Sequence, residues 1–176
     1  MSYVVYRMIV NLSSGNDIRE SWLNMDIISW PGCFPPDVYW DARKDELPFY
    51  DKSIEEIYCG YTLLHIHPRY RPFLLSEIHR VLISHDGLVT FREVDMPKVM
   101  RRWLENPTDL QSNQLIWGEL GHVYGEKFAE YDTHHYGYSV VTLIHTLKEA
   151  GVSKLEQMVF DDDVWYDLRI RCRRGE

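Results

Sequence analysis

Apolar residues in this chain fall into short runs closed by turn-forming residues, and the period of those runs changes along the sequence. Met8–Leu12 is a short run, apolar but for Asn11, ended by Ser13-Ser14-Gly15-Asn16, and Leu23–Ile28 is a second run that contains Asp26. Short apolar runs bounded in this way predict buried strands. Asp17–Trp22, between them, is too short to predict a helix. Trp30–Asp37 holds three prolines and a glycine and is expected to be loop. Val38–Asp41 and Ile54–Cys59 are the next strand candidates, closing at an acid and at Gly60. The polar stretch Asp45–Asp51 that joins them is interrupted by Leu47, Pro48 and Phe49.

The period then lengthens. Leu74, Leu75, Ile78, Val81 and Leu82 predict a helix over Phe73–Leu82, with Glu77 and Arg80 expected to face out. Asp86-Gly87 breaks it, and Leu88–Val94 predicts a strand. Strand, helix, strand in this order implies a right-handed parallel crossover. Met96–Glu105 and Leu110–Leu120 are helix candidates separated by Asn106-Pro107, and Gly121–Gly137 has no clear period. Ser139 is placed to cap a helix over Val140–Ala150, with Val141, Ile144 and Leu147 on one face and Gly151 as terminator. Leu155–Phe160 predicts a strand. Three aspartates follow it, and Val164–Cys172 then alternates apolar positions with Trp165, Asp167, Arg169 and Arg171. Two strands joined by so short a turn pair antiparallel. The fold class is therefore α/β, a mainly parallel sheet with one antiparallel strand at the C-terminal hairpin, formed by residues 1–176 as a single domain.

Composition narrows the function classes. With 19 basic and 27 acidic residues the formal charge is −8, which argues against nucleic acid as a main partner, because phosphate binding needs a basic face. Basic residues cluster locally at Arg101–Arg102 and over Arg169, Arg171, Arg173 and Arg174. Cys33, Cys59 and Cys172 are isolated, so neither a disulfide framework nor a cysteine zinc site is expected. The apolar N-terminus lacks the charged start and cleavage site of a secretory leader, and no apolar run approaches membrane-spanning length. A soluble, cytoplasmic protein without a membrane partner is the expectation. The GxGxxG dinucleotide fingerprint is absent, which argues against a dehydrogenase.

The candidate chemistry lies at strand ends. An acid closing one strand, followed by a strand closing on a small residue, marks a ligand crevice in an open α/β sheet. The order of NLSSGN, the segment Trp22-Leu23-Asn24-Met25-Asp26, the WDA of Trp40-Asp41-Ala42, the LPF connection and IYCGY resembles the class I S-adenosylmethionine-dependent methyltransferases, in particular a small methyltransferase-11-like member. The resemblance implies a three-layer Rossmann-like sandwich and a seven-stranded sheet of order 3-2-1-4-5-7-6. S-adenosylmethionine is the implied cofactor and S-adenosylhomocysteine its product. It matches Asn11, Ser13, Ser14 and Gly15 to the family's LNLGCG turn, with a serine in place of the first glycine. Asp26 then corresponds to the carboxylate that accepts from the ribose hydroxyls, Asp41 with Ala42 to the adenine contact, and Gly60 with Tyr61 to the wall beside the methionine end.

The chain starts almost at the first strand, without the N-terminal helices that often cover the cofactor in this family. The site is therefore expected to be open, or completed by an oligomeric or other partner subunit. Methyl transfer relies on positioning, and needs a base only when the acceptor must lose a proton. His65, His134 and His135 are the catalytic candidates, with His67, Tyr136 and Tyr138 beside them, and Gly121–Tyr138 is expected to cover the crevice. Four histidines also raise the question of a metal, but no short-range ligand motif accompanies them and none is expected. Glu93 and Asp95, at the end of the fifth strand, serve either the site or the neighbouring backbone. The acceptor is expected to be a small molecule. Two other readings stand: a non-catalytic member that binds cofactor or activates a partner, and a nucleotide-binding α/β protein of another kind.

Overall fold

The computed structural model of the 176-residue chain describes residues 8–29, 34–84, 86–108, 134–151, 154–159 and 167–174. Five strands, Ile9–Leu12 (β1), Leu23–Asp26 (β2), Val38–Tyr39 (β3), Glu56–Gly60 (β4) and Leu88–Val94 (β5), pair in parallel. Lys154–Val159 (β6) and Asp167–Arg173 (β7) complete a sheet of order β3-β2-β1-β4-β5-β7-β6. β7 runs antiparallel to both of its neighbours. This is the α/β arrangement expected, down to the order of the strands. The sequence runs overshoot the strands at their ends: Ile54 lies before β4 and forms an isolated bridge to Leu82, and the chain leaves the sheet at Asp26.

Among the described residues the α-helices are Arg71–Val81 (α1), Met96–Glu105 (α2) and Val140–Glu149 (α3). The reading of Leu110–Leu120 as a helix, and most of the proposed cover Gly121–Tyr138, lie outside the described residues. Asp95 caps α2, accepting the Lys98 N–H at 3.3 Å. Ser139 and Thr142 form a reciprocal capping box at α3, which satisfies two otherwise orphaned donors. Two expectations are corrected here. Val141 is 75% exposed, and α3 buries Leu143 and Leu147 instead. Glu77 is buried rather than facing solvent. Its carboxylate accepts the Leu47 N–H at 2.8 Å and pairs with Arg80 at 2.7 Å. Arg80 also donates to the carbonyls of Leu47 and Phe49 and to Asp51. The Leu47-Pro48-Phe49 connection is thus strapped to α1. A glutamate can be buried at such a position because an arginine one turn on neutralises it, and that hydrogen bond holds its carboxyl below the usual carboxylate range.

Val10, Leu12, Ile57, Val89, Phe91 and Ile170 are fully or almost fully buried and form the sheet's share of the core. The connection from β1 to β2 contains no helix. Two asparagines hold it in place. Asn11 donates to the Asp17 carbonyl at 2.6 Å and to the Asn24 side chain at 3.0 Å. Asn24 also accepts the Arg19 N–H and donates to the carbonyls of Arg19 and Trp22. Side chains here do what a helix would do with its own backbone bonds: they pair the polar groups of the connecting segment.

Candidate active site

Parallel pairing brings the carboxyl ends of β1 to β4 to one edge of the sheet. A cavity of about 730 Å³ opens there, lined by residues that follow each strand. Its volume is that of a site for a drug-sized molecule. Every candidate cofactor residue lines it: Asn11, Ser13, Ser14 and Gly15 after β1, Asp26 at the end of β2, Asp41 and Ala42 after β3, and Gly60 and Tyr61 at β4.

The turn after β1 is held from β2. The Ser14 N–H donates to the Met25 carbonyl at 3.0 Å, and the Gly15 N–H donates to Asp26 at 2.7 Å. The other Asp26 oxygen accepts the Ile27 N–H at 2.6 Å. The Ser14 hydroxyl is buried on the cavity wall with no hydrogen-bond partner among the described residues. No atom lies within 4 Å of where a Gly15 Cβ would stand. Ser13 has φ +53°, a left-handed conformation that costs a serine more than a glycine. Ser13→Gly should therefore raise stability by about 0.5–1 kcal/mol in urea unfolding. A loss of stability would show that the hydroxyl holds the turn.

After β3, Arg43 grips Asp41 with two guanidinium bonds of 2.9 and 2.8 Å, and these hold the Asp41 carboxyl below its ordinary range. Asp41 therefore meets the cavity as half of an ion pair. At β4, a Cβ on Gly60 would stand 2.6 Å from the Tyr58 ring, so a larger residue here needs that ring to shift. Tyr61 follows in a left-handed conformation with φ +51°. Its N–H donates to the Arg92 carbonyl at 2.6 Å, and its hydroxyl donates to Asp167 on β7, which also pairs with Arg92. Asp167 is fully buried, which corrects its assignment to the polar face of the last strand. Tyr58, Arg92 and Asp167 were not legible as site residues. Pairing of β5 with β7 brings the arginine and the acid together across a long sequence separation, and neither residue has a local signature.

The histidines fall into two ring contacts, His65 against His134 at 4.6 Å and His67 against His135 at 5.4 Å. His65, His67 and His135 line the cavity, whereas His134 packs edge-on against His65 and does not line it. Among the described residues, no group of three or more His, Cys, Asp or Glu side chains is arranged to hold a metal ion.

Glu93 is fully buried and accepts the N–H groups of Leu63 and Leu64 at 2.8 and 3.3 Å. It supports the backbone of the loop that carries His65. Burial pushes its carboxyl up to about 8, against those two bonds. The unfolded chain ionises near the ordinary 4.5, so this group's contribution is complete below that pH. It declines as pH rises from about 4.5 to about 8, because only the unfolded chain gives up its proton there. Thermal midpoints should therefore fall across this window, and Glu93→Gln should flatten the slope. An unchanged slope in the variant would show that Glu93 is ionised throughout.

The chain matches no protein-family profile and no curated protein sequence. Its fold does match solved structures. A Methanosarcina mazei S-adenosylmethionine-dependent methyltransferase gives a TM-score of 0.59 at 13% identity, over 96% of this chain and 92% of that one. The Haloferax volcanii methyltransferase solved with the Trm112 methyltransferase activator gives 0.60 at 14% identity, over 97% and 83%. Human N-acetylserotonin methyltransferase in complex with S-adenosylmethionine gives 0.57 at 16% identity, over 98% and 48%. The chain has the class I methyltransferase fold: an α/β domain with a mostly parallel sheet and one antiparallel strand.

Proposed function

We propose that residues 1–176 form a three-layer, methyltransferase-11-like domain that binds S-adenosylmethionine in this cavity and transfers its methyl group to a small-molecule acceptor. The observation that carries the reading is the turn after β1, tied to Asp26 through the Gly15 N–H at 2.7 Å, with open space above Gly15. The residues present fit the cofactor. The buried Ser14 hydroxyl, without a partner among the described residues, is a polar atom for the ligand to satisfy. Asp26 accepts from the ribose hydroxyls with the capacity its two backbone bonds leave over. Gly60 keeps the wall beside the methionine end low. The Asp41–Arg43 pair meets the adenine edge, Asp41 as acceptor for the amino group.

When bound, the sulfonium supplies an electrophilic methyl group: the acceptor's electron pair forms the new bond, and the C–S pair stays on sulfur. The protein's share is to align the two partners and exclude water. His65 and His135, which line the cavity, would take a proton from an acceptor that must lose one, and His134, packed edge-on against His65, would hold its ring. No helix among the described residues is long and apolar enough to cross a membrane, in keeping with a cytoplasmic enzyme. Titration calorimetry with S-adenosylhomocysteine tests the reading. Saturable 1:1 binding in preference to ATP supports it, and preference for ATP would assign the crevice to a nucleotide-binding protein of another kind. A second reading, a domain completed or activated by a partner, draws support from the Haloferax structure, solved with an activator subunit. Binding of cofactor without turnover until a partner is added would favour it.

A further inference from the structure

The cavity divides by charge along the strand order. After β1, β2 and β3 it carries Asp17, Asp26 and Asp41, while after β4 and β5 it carries His65, His67, Arg69 and Arg92. Asp167 neutralises Arg92, and Asp41 neutralises Arg43. The arginines and imidazoles that remain lie on the segment 65–71 and on the facing His134-His135, joined by the His135 N–H donating to the Leu64 carbonyl at 2.7 Å.

Among the described residues, His67, Arg69 and His135 form no ion pair with an acid. His67 accepts the Arg69 N–H at its Nδ1 at 3.3 Å, which leaves Nε2 as its donor. The Arg69 guanidinium rests on the Tyr70 ring at 4.5 Å, and among the described residues it forms no ion pair. Behind them Arg71 is 6% exposed, stacked on Tyr136 at 4.5 Å and Tyr138 at 5.3 Å. Its Nε donates to the Ile66 carbonyl at 3.0 Å, while Nη2 is buried with no partner. Glu93, an acid on which Arg71 acts, is pushed up to about 8 by its burial. The imidazole of His135 is held below its ordinary range by burial and by His67, Arg71 and Arg43. In a chain of net charge −8, this is a local excess of positive charge and of N–H donors at one end of a cavity.

We propose that the His65–Arg71 and His134–His135 end of the cavity binds an anionic group of the methyl acceptor, a carboxylate or a phosphate, with Arg69, His67 and His135 as the contacting donors. The acceptor class is then a small organic acid or phosphate ester. The inference rests on the methyltransferase reading of the cavity. The competing source of the anion is the carboxylate at the methionine end of the cofactor itself.

The test is NMR of histidine-labelled protein, reading the pH titration of His135 with inorganic phosphate or acetate, with and without saturating S-adenosylhomocysteine. An anion in contact favours the protonated imidazole. With S-adenosylhomocysteine bound, phosphate or acetate should raise the His135 midpoint by about half a unit or more, the more effective one naming the group. Arg69→Gln should weaken that anion several-fold, and Arg69→Lys should restore most of it. Protein that binds S-adenosylhomocysteine but shows no response to either anion overturns this inference alone. If S-adenosylhomocysteine alone produces the whole rise, the cations serve the cofactor and the inference is also overturned. Protein that responds to phosphate but does not bind S-adenosylhomocysteine overturns the methyltransferase reading, and the acceptor assignment with it.

Discussion

Asp167→Ala should destabilise the fold by about 3–5 kcal/mol, the range for breaking a buried ion pair from one side. Asp167 is fully buried and the Arg92 side chain is 19% exposed. Removing the acid leaves a mostly buried guanidinium unpaired and deprives the Tyr61 hydroxyl of its acceptor. Desolvation of the orphaned charge dominates the effect, because a single neutral hydrogen bond is worth only about 0.5–1.5 kcal/mol. Asp167→Asn keeps the shape and an acceptor oxygen, and should fall between wild type and Asp167→Ala. A double variant, Asp167→Leu with Arg92→Met, should be less damaging than the sum of its parts, since neither charge is then left alone. Urea unfolding measures these variants together with Asp167→Leu and Arg92→Met alone. A cost below about 1 kcal/mol for Asp167→Ala would show that water reaches Arg92 and that the pair is a surface one.

Asp26→Ala should weaken S-adenosylhomocysteine binding by about ten- to a hundredfold, the equivalent of one or two charge-assisted hydrogen bonds. The loss has two sources. The ribose hydroxyls lose their acceptor, and the turn after β1 loses the Gly15 bond that holds it against β2. Asp26→Asn separates them. Its amide oxygen keeps one backbone bond, but its amide nitrogen presents a donor where the ribose presents donors too. Binding in Asp26→Asn should therefore stay weak while thermal stability recovers. Calorimetry on circular-dichroism-matched samples makes the comparison, and unaltered affinity in either variant removes Asp26 from the site.

What could be seen in the sequence was what is written locally. The runs Ile9–Leu12 and Leu88–Val94 are bounded by turn residues and need no distant partner to be recognised. The carboxylates at strand ends were visible because topology alone puts strand ends beside a crevice. Glu77 and Asp167 were misassigned for the opposite reason. Each is an acid at a position that solvent would ordinarily take, buried because one arginine reaches it, Arg80 from the next turn and Arg92 from the adjoining strand. Val141 shows a related failure: β-branched and apolar, it satisfies the helical period, yet α3 turns Leu143 and Leu147 inward. The histidines were found as a group, but their pairing was not. His65 meets His134 only because the His135 N–H docks on the Leu64 carbonyl, a backbone contact that no side-chain pattern encodes.

The measurement that bears most directly on the whole account is a crystal structure of the protein grown with S-adenosylhomocysteine. The account expects the ligand at the carboxyl ends of β1 and β2, with both ribose hydroxyls on Asp26, the Ser14 hydroxyl engaged and the adenine edge on the Asp41–Arg43 pair. S-adenosylhomocysteine bound elsewhere, or a cavity empty at saturating ligand, would contradict it.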